Sequence, residues 1–417
     1  MRSEISKLQL WMIALQLKEP FRFAYGTFYQ LPRVLLRLEV NTDASTVVGW
    51  GEAAIDFPFV NYDMFDVYDT LSKLSPHVIG LGLEDRHEIL FSPRTNSLDV
   101  APAARCALNM ALDDALGKTQ GVATARVYPA RRSTGVSLCS IGFEQSGNPD
   151  VWSGVDGVIK LKVGQDIARD FAKIKLAEQL AKKTGKLYAL DFNAAYTFEE
   201  VSWLIEELQS AICWGLKSCV LWEQPLNVQS SIAQWERLVD LLSRHAPAPA
   251  LVADESFISA SMGRALVDVG VGLNYKIQKF GGILAALELE GNMGEGQRRI
   301  KSFVGGTFPS PLGRAYDILA ARVIRSADLP GDGLLPASTY LTPECVEAFS
   351  VTADRLGLGV QPNESALSRL IIENPIEEFY RIRVGKMPQR IQMEIGGSYV
   401  ESYVGLSGRS ALWNIQG

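Results

Sequence analysis

Between residues 158 and 163 the apolar positions Val158, Ile159, Leu161 and Val163 form a short run bounded by Gly157 and Gly164. Lys160 and Lys162 interrupt it at alternate places. A short, glycine-bounded apolar run predicts a buried strand, on which residues two apart share a face. Two cations on one buried face are costly, because burial disfavours each charge and each charge disfavours the other. At least one is expected to titrate below the ordinary lysine range and to act as a proton shuttle.

The same rhythm of short apolar strand and amphipathic helix begins after Val136-Ser137-Leu138-Cys139 and continues for six units. Strand Val158 to Val163 precedes helix Ile167 to Thr184, and Leu187 to Asp191 precedes Phe198 to Leu208. Val220 to Glu223 precedes Ser231 to Ser243, and Leu251 to Asp254 precedes Ser261 to Val269. Asn274 to Gln278 precedes Ile283 to Glu290, and Lys301 to Gly305 precedes Arg314 to Ile324. Such alternation predicts βα units, a parallel sheet and a closed (β/α) barrel.

The N-terminal pattern differs. Strands over Leu8 to Lys18, Val34 to Val40 and Val47 to Ala53 predict an antiparallel meander, with aromatic loops at Phe21 to Phe28 and Phe57 to Tyr62. Helical spacing runs through Met64 to Leu74 and Ala103 to Lys118, and Gly121 stops the second. The expected division is therefore an α+β domain over residues 1–130 and a barrel over 131–374. The segment 375–417, with strand-like pieces at Arg381 to Val384 and Ile391 to Ile395, is expected to return to the first domain.

Composition narrows the function classes. The 417 residues carry 47% hydrophobic and 21% charged side chains, with a net charge of −6 and no Lys/Arg cluster. That speaks against a nucleic-acid footprint and for a small-molecule partner. Neither a secretion signal nor a membrane-length apolar run is visible. Five scattered cysteines fit a reducing cytoplasm, and three histidines leave little room for a histidine metal site or a Ser/His/Asp triad.

Charged residues recur at the strand ends. Lys162, Asp191, Glu223, Asp254 and Lys276 are 29, 32, 31 and 22 residues apart, about one βα unit each. Barrel strands converge at their C-terminal ends, so these five residues should meet in one ring. Asp191, Glu223 and Asp254 would form a hard oxygen site suited to Mg²⁺, with Mn²⁺ as the substitute. A metal there would stabilise the enediolate left when a proton is taken from the carbon next to a carboxylate. Lys162 and Lys276 would serve opposite faces of that carbon, with Lys160 tuning Lys162. Each carboxylate alone has a plainer reading as a helix cap, a solvated strand end or a turn residue; the set together favours the site.

Lys160-Leu161-Lys162, Asp191-Phe192-Asn193, Trp222-Glu223-Gln224-Pro225-Leu226, Ala253-Asp254-Glu255-Ser256 and Asn274-Tyr275-Lys276-Ile277-Gln278-Lys279-Phe280-Gly281-Gly282 resemble the muconate-lactonizing-enzyme subgroup of the enolase superfamily. Enolase-superfamily sites are a worked case of a lysine base paired with magnesium. The resemblance implies a modified TIM barrel, (β/α)₇β, with an α+β capping domain built from the N-terminal part and the tail. It implies metal ligands Asp191, Glu223 and Asp254, acid/base lysines Lys162 and Lys276 with Lys160 beside them, and Asn193, Glu255 and Lys279 bracing the ligands. Substrate would be met by Phe21, Phe23, Tyr25 and Phe57 from the capping loops, and by Gly305, Gly306 and Thr307.

Within the subgroup, Val304 to Ala315 and Leu329 to Asp332 look most like o-succinylbenzoate synthases and N-acylamino acid racemases. The implied reaction is then a dehydration or a racemisation of a small carboxylate. Dipeptide epimerase, muconate cycloisomerase and a catalytically inactive binding barrel are the alternatives, and homo-oligomerisation stays open.

Overall fold

The computed structural model describes residues 3–23, 26–55, 62–92, 101–128, 136–141, 148–212, 216–245, 247–293 and 300–372, without the side chains of 21–23, 26–28 and 212. The tail pieces at 381–384 and 391–395, and the whole segment 375–417, lie outside the described residues.

Three antiparallel strands open the chain: β1 (Ser3–Phe23), β2 (Gly26–Thr42) and β3 (Thr46–Ala53), in the order β1-β2-β3. The expected loop at 21–28 is in part a hairpin, since Phe21 pairs with Phe28 and Phe23 with Gly26 beyond a register shift after Gln16. Aromatic density there hid a strand pairing that Pro20 had argued against.

Alternate residues of β2 serve different cores. Val34, Leu36, Leu38 and Val40 pack with helices α1 (Met64–Val78) and α3 (Pro102–Thr119), which flank the short α2 (Arg86–Phe91), whereas Leu31 and Leu35 join the large core shared with the barrel. The sheet is thus buried on both faces, as period-two alternation permits. Glycine is required at position 51, where a Cβ would sit 2.0 Å from the carbonyl oxygen of Ala107. Its absence lets α3 lie directly on β3.

Six parallel strands follow in sequence order: β4 (Leu138–Ile141), β5 (Val158–Lys162), β6 (Tyr188–Asp191), β7 (Cys219–Glu223), β8 (Ala250–Ala253) and β9 (Gly272–Leu273). Parallel bridges Asn274–Phe303, Ser302–Ala327 and Ser137–Gly331 carry the pairing on through two further positions and back to the first. Eight positions therefore close a barrel.

Two expected strands are corrected here. Asn274 to Gln278 is not a strand: β9 stops at Leu273 and a helical turn begins at Ile277. Lys301 to Gly305 is reduced to isolated bridges at Ser302 and Phe303. Both segments are rich in buried apolar residues, and periodicity cannot separate a short strand from a buried turn.

The remaining barrel helices are α4 (Pro149–Gly154), α5 (Ile167–Thr184), α6 (Phe198–Ile212), α7 (Ile232–Ser243), α8 (Ala260–Asp268), α9 (Ile277–Phe280), α10 (Ile283–Asn292) and α11 (Pro311–Val323). Several start where a side chain accepts from the first turn: Asp166, Ser231, Ser259 and Ser310 cap α5, α7, α8 and α11. No helix of the described residues is long and apolar enough to cross a membrane. The described cysteines Cys106, Cys139, Cys219 and Cys345 are free thiols. Near the end of the described chain, Ile371 bridges Ile13 and the Ile372 amide donates to Met12, so residues 370–372 lie along β1.

Candidate active site

Inside the barrel, Leu138, Val158, Ala189, Leu221, Val252 and Phe303 form a separate apolar plug. Two residues further along the same strands stand Lys160, Asp191, Glu223 and Asp254. Because successive side chains alternate between faces, a step of two keeps the same inward face and moves one layer toward the C-terminal mouth. The pairing register puts Lys162 level with Asp191, and Asp191 level with Glu223. Thus Asp191, Glu223 and Asp254, three of the five residues that sequence spacing pointed to, join Lys160 in one layer over the plug, with Lys162 one step above it on β5.

Their contacts are short. Lys160 Nζ lies 3.1 Å from Asp191 Oδ2, 2.5 Å from Glu223 Oε2 and 3.1 Å from Asp332 Oδ2. Lys162 Nζ donates to Asp191 Oδ2 at 2.5 Å and to Asn193 Oδ1 at 3.1 Å. On the far side, Lys276 Nζ is 2.7 Å from Asp254 Oδ2 and Lys279 Nζ is 2.7 Å from Asp254 Oδ1. The three carboxylates are buried, whereas the side chains of Lys162 and Lys276 each keep 13% of their exposure. These two ammonium groups are the ones a ligand above the layer would meet.

Charge is unevenly settled. Burial works against ionised Asp254, but Lys276 and Lys279 outweigh it and hold its carboxyl well below the usual range. Asp191 is lowered likewise by Lys160 and Lys162. Glu223 goes the other way: burial and the negative charge of Asp191 push it up to about 7 despite Lys160. Burial, with Asp254 and Asp191, pushes Glu255 up to about 8. The expectation that crowding would depress a lysine is corrected for Lys160. Burial does disfavour its charge, but Asp191, Asp332 and Glu223 overcome that and hold it well above the ordinary lysine value.

Backbone strain gathers at the same place. Asn193, Ala194 and Gln224 adopt positive φ of 45°, 58° and 42°, immediately after Asp191 and Glu223. Non-glycine residues there cost energy and persist where surrounding contacts over-determine them. Asn193 donates through Nδ2 to Glu255 Oε1 at 3.1 Å, and Gln224 Oε1 accepts from the amides of Asp254 and Ser256.

Of the side chains expected to meet substrate, Gly305, Gly306 and Thr307 follow the seventh barrel position at the mouth. Phe21 and Phe23 have only their backbone described, and Tyr25 and Phe57 lie outside the described residues. Three residues that stand inside the quoted motifs are given no role there by sequence reasoning. Asp332, in the turn Gly331-Asp332-Gly333 at the last barrel position, pairs with Lys160. Asn274 donates to Glu223 Oε1 at 2.8 Å, and the buried Gln224 joins two strand ends. A buried amide just past a strand end has no pattern that announces its partner.

Could a divalent cation be held here? Among the described residues no three His, Cys, Asp or Glu side chains form a ready-made metal-binding group, because lysine ammonium groups hold the carboxylate oxygens. The donor chemistry nonetheless fits one. Asp191, Glu223 and Asp254 are buried hard oxygen donors from the ends of successive strands, and the charge of Asp254 bears on both Asp191 and Glu223.

No family model matches the sequence. The N-succinyl-L-Arg/Lys racemase of Bacillus cereus is 22% identical over 390 residues, covering 88% of this chain and 98% of that protein. Its crystal structure superposes with a TM-score of 0.74 at 19% identity, again over 88% and 98%. The o-succinylbenzoate synthase of Geobacillus stearothermophilus is 26% identical over 331 residues, 77% of this chain and 82% of the synthase. The muconate lactonizing enzyme of Pseudomonas fluorescens, crystallised with muconolactone, superposes at a TM-score of 0.73 and 19% identity over 89% of this chain and all of that one. This chain is thus an enzyme similar over most of its length to racemases, dipeptide epimerases and o-succinylbenzoate synthases, and it shares the barrel fold of solved muconate-lactonizing-enzyme-like members of the enolase superfamily.

Proposed function

We propose that the enzyme removes a proton from the carbon next to a carboxylate in a small N-acylated amino acid or succinylbenzoate-type substrate, with Mg²⁺ as its cofactor. The observation that supports this reading most is the placement of two partly exposed lysines on either side of a buried carboxylate layer. Lys162 ends the second of eight barrel positions and Lys276 follows the sixth, so they face each other across the mouth. Two such groups can reach opposite faces of one carbon, which suits racemisation; dehydration needs only one of them.

Asp191, Glu223 and Asp254 would hold the metal, braced by Asn193, Glu255 and Lys279. When bound, Mg²⁺ would offset the second negative charge that grows on the substrate carboxylate. The chain's own part is then specific. Lys162 Nζ takes the proton on one face while Lys276 Nζ returns one on the other, and for the mirror-image substrate the roles exchange. Lys160 adds fixed positive charge beneath them. The relatives' names give N-succinylated arginine or lysine as the molecule racemised and o-succinylbenzoate as the product formed, and both molecules carry a succinyl arm and a carboxylate. Residues 1–130 would form the cap and 131–374 the barrel, with residues 370–372 of the second range already running along β1 of the cap.

The test is deuterium wash-in. With Mg²⁺ in heavy water, N-succinyl amino acids should gain one mass unit at the α-carbon, and exhaustive chelation should stop this until metal is restored. Wash-in that survives chelation would remove the metal from the reading, and its complete absence across N-succinyl amino acids and the succinylbenzoate precursor would remove the substrate class.

A further inference from the structure

We infer that Arg33 and Glu52, a buried ion pair in the N-terminal antiparallel sheet, are positioning residues that fix the 305–310 loop against the site and thereby set affinity for the substrate's acyl arm. The inference rests on the functional reading above for its substrate, and on geometry for the clamp itself.

Arg33 on β2 and Glu52 on β3 are 2% and 0% exposed, with Nε and Oε1 3.5 Å apart. Both reach out of their sheet into the barrel. Arg33 Nη2 donates to the carbonyls of Thr307 at 2.6 Å and Phe308 at 2.8 Å. Glu52 Oε1 accepts from the Ser310 amide at 3.0 Å, and Oε2 accepts from the Ser310 hydroxyl. The main chain of Glu52 is tied as well, its carbonyl accepting from Gln278 Nε2 at 3.1 Å, two residues beyond Lys276.

The loop is held from its other end by the barrel. Gly306 donates to Asp332 Oδ1 at 2.9 Å, and the other oxygen of Asp332 pairs with Lys160. Arg314 donates to the carbonyl of Asp332 and to the Tyr340 hydroxyl, which in turn donates to the Pro309 carbonyl at 2.6 Å. From Gly306 to Ser310 every residue thus has a backbone group bound by a side chain from outside the loop. Phe308 is kept at φ +52° within this span. A segment bent into that region needs outside contacts to stay there, and the strongest come from the ion pair.

A buried ion pair kept only for stability is replaceable: apolar residues of similar volume often do as well or better. One kept for its hydrogen bonds to a site loop is not. The discriminating variant is therefore the double replacement Arg33→Met/Glu52→Leu, examined in the full chain by two readouts. Amide hydrogen exchange over residues 305–310 should speed up by about tenfold or more while β5 stays protected, because Ser310 loses its acceptor and the carbonyls lose their donors. In the wash-in assay KM for an N-succinyl amino acid should rise about tenfold with kcat within about threefold, since the lysines keep their places.

Should the double variant fail to fold, Arg33→Lys supplies the same test. It keeps the charge beside Glu52 but loses the forked reach to two carbonyls. Unchanged loop exchange, or an unchanged KM in a variant whose loop is loosened, overturns the inference. If the wild-type enzyme exchanges no substrate proton, the functional reading fails while the amide-exchange readout still decides the clamp.

Discussion

Two clusters of buried carboxylates in this molecule are built to different ends. On α3, Asp113 accepts from Arg86 at 2.6 Å, Asn109 at 2.9 Å, Tyr128 at 2.5 Å and Tyr316 at 2.9 Å. Its neighbour Asp114 accepts from Lys118 and from the backbone amides of Trp50 and Leu358. Those donors come from several separate elements and are mostly neutral and rigid. At the barrel mouth, Asp191, Glu223 and Asp254 stand close to one another and rely chiefly on lysine ammonium groups on flexible stems. Rigid donors lock a fold together; like charges crowded under movable cations leave binding energy for a ligand to claim.

The sharpest way to break the contrast is at the lysines. Lys162→Ala and Lys276→Ala should each lower turnover by about 10²- to 10⁴-fold, the usual worth of a general acid or base, and should also lower melting in the metal-free protein, because each leaves a buried carboxylate short of a counter-charge. A variant with full activity in the wash-in assay would place the chemistry elsewhere. Next comes the structural cluster. Asp113→Ala strands the charge of Arg86 and two tyrosine hydroxyls, and should cost about 3–5 kcal/mol in chemical denaturation with kcat held.

A third test inverts the second. Glu223→Gln relieves repulsion in the mouth and should stabilise the metal-free protein by about 1–2 kcal/mol while abolishing activity, the trade expected of a site strained for function. A destabilised Gln variant would make Glu223 a structural residue.

The last test reads a slope. Burial, working against Arg86, puts Asp113 at about 6 from an ordinary 3.8. Between about pH 4 and 6 the folded chain then holds a proton that the unfolded chain has released, so this group's contribution is fully present below pH 4 and is lost as pH rises to 6. At about 1.4 kcal/mol per unit the loss approaches 3 kcal/mol. Asp113→Asn should flatten that slope relative to the wild type across the same window.

Much of the barrel was legible because its strands are short apolar runs that end in charge: α5 matches its expected limits, and α6, α7 and α8 match theirs closely. Lys162, Asp191, Glu223 and Asp254 could be found by spacing alone, since barrel geometry turns a regular interval into proximity. Less regular parts were hidden. The sixth position shrinks to the two-residue β9 and the seventh to bridges, and the pairing of Phe21 with Phe28 and Phe23 with Gly26 follows a proline-led aromatic stretch that reads as loop. That Lys160 is held above the ordinary lysine range could not be read from its strand, which shows two cations and none of the carboxylates that neighbouring strands bring to it. Arg33 and Glu52 were invisible for the same reason: their partners lie some 250 residues away in sequence.

The two-residue step from plug to charged layer also means that a threading error could not pass unnoticed. A barrel assembled one residue out of step would turn Lys160, Asp191 and Glu223 outward into the helical jacket and push their apolar neighbours into the mouth. Such a misaligned chain would lose its catalyst and its solubility together, so selection for turnover polices the assembly of the barrel at no separate expense.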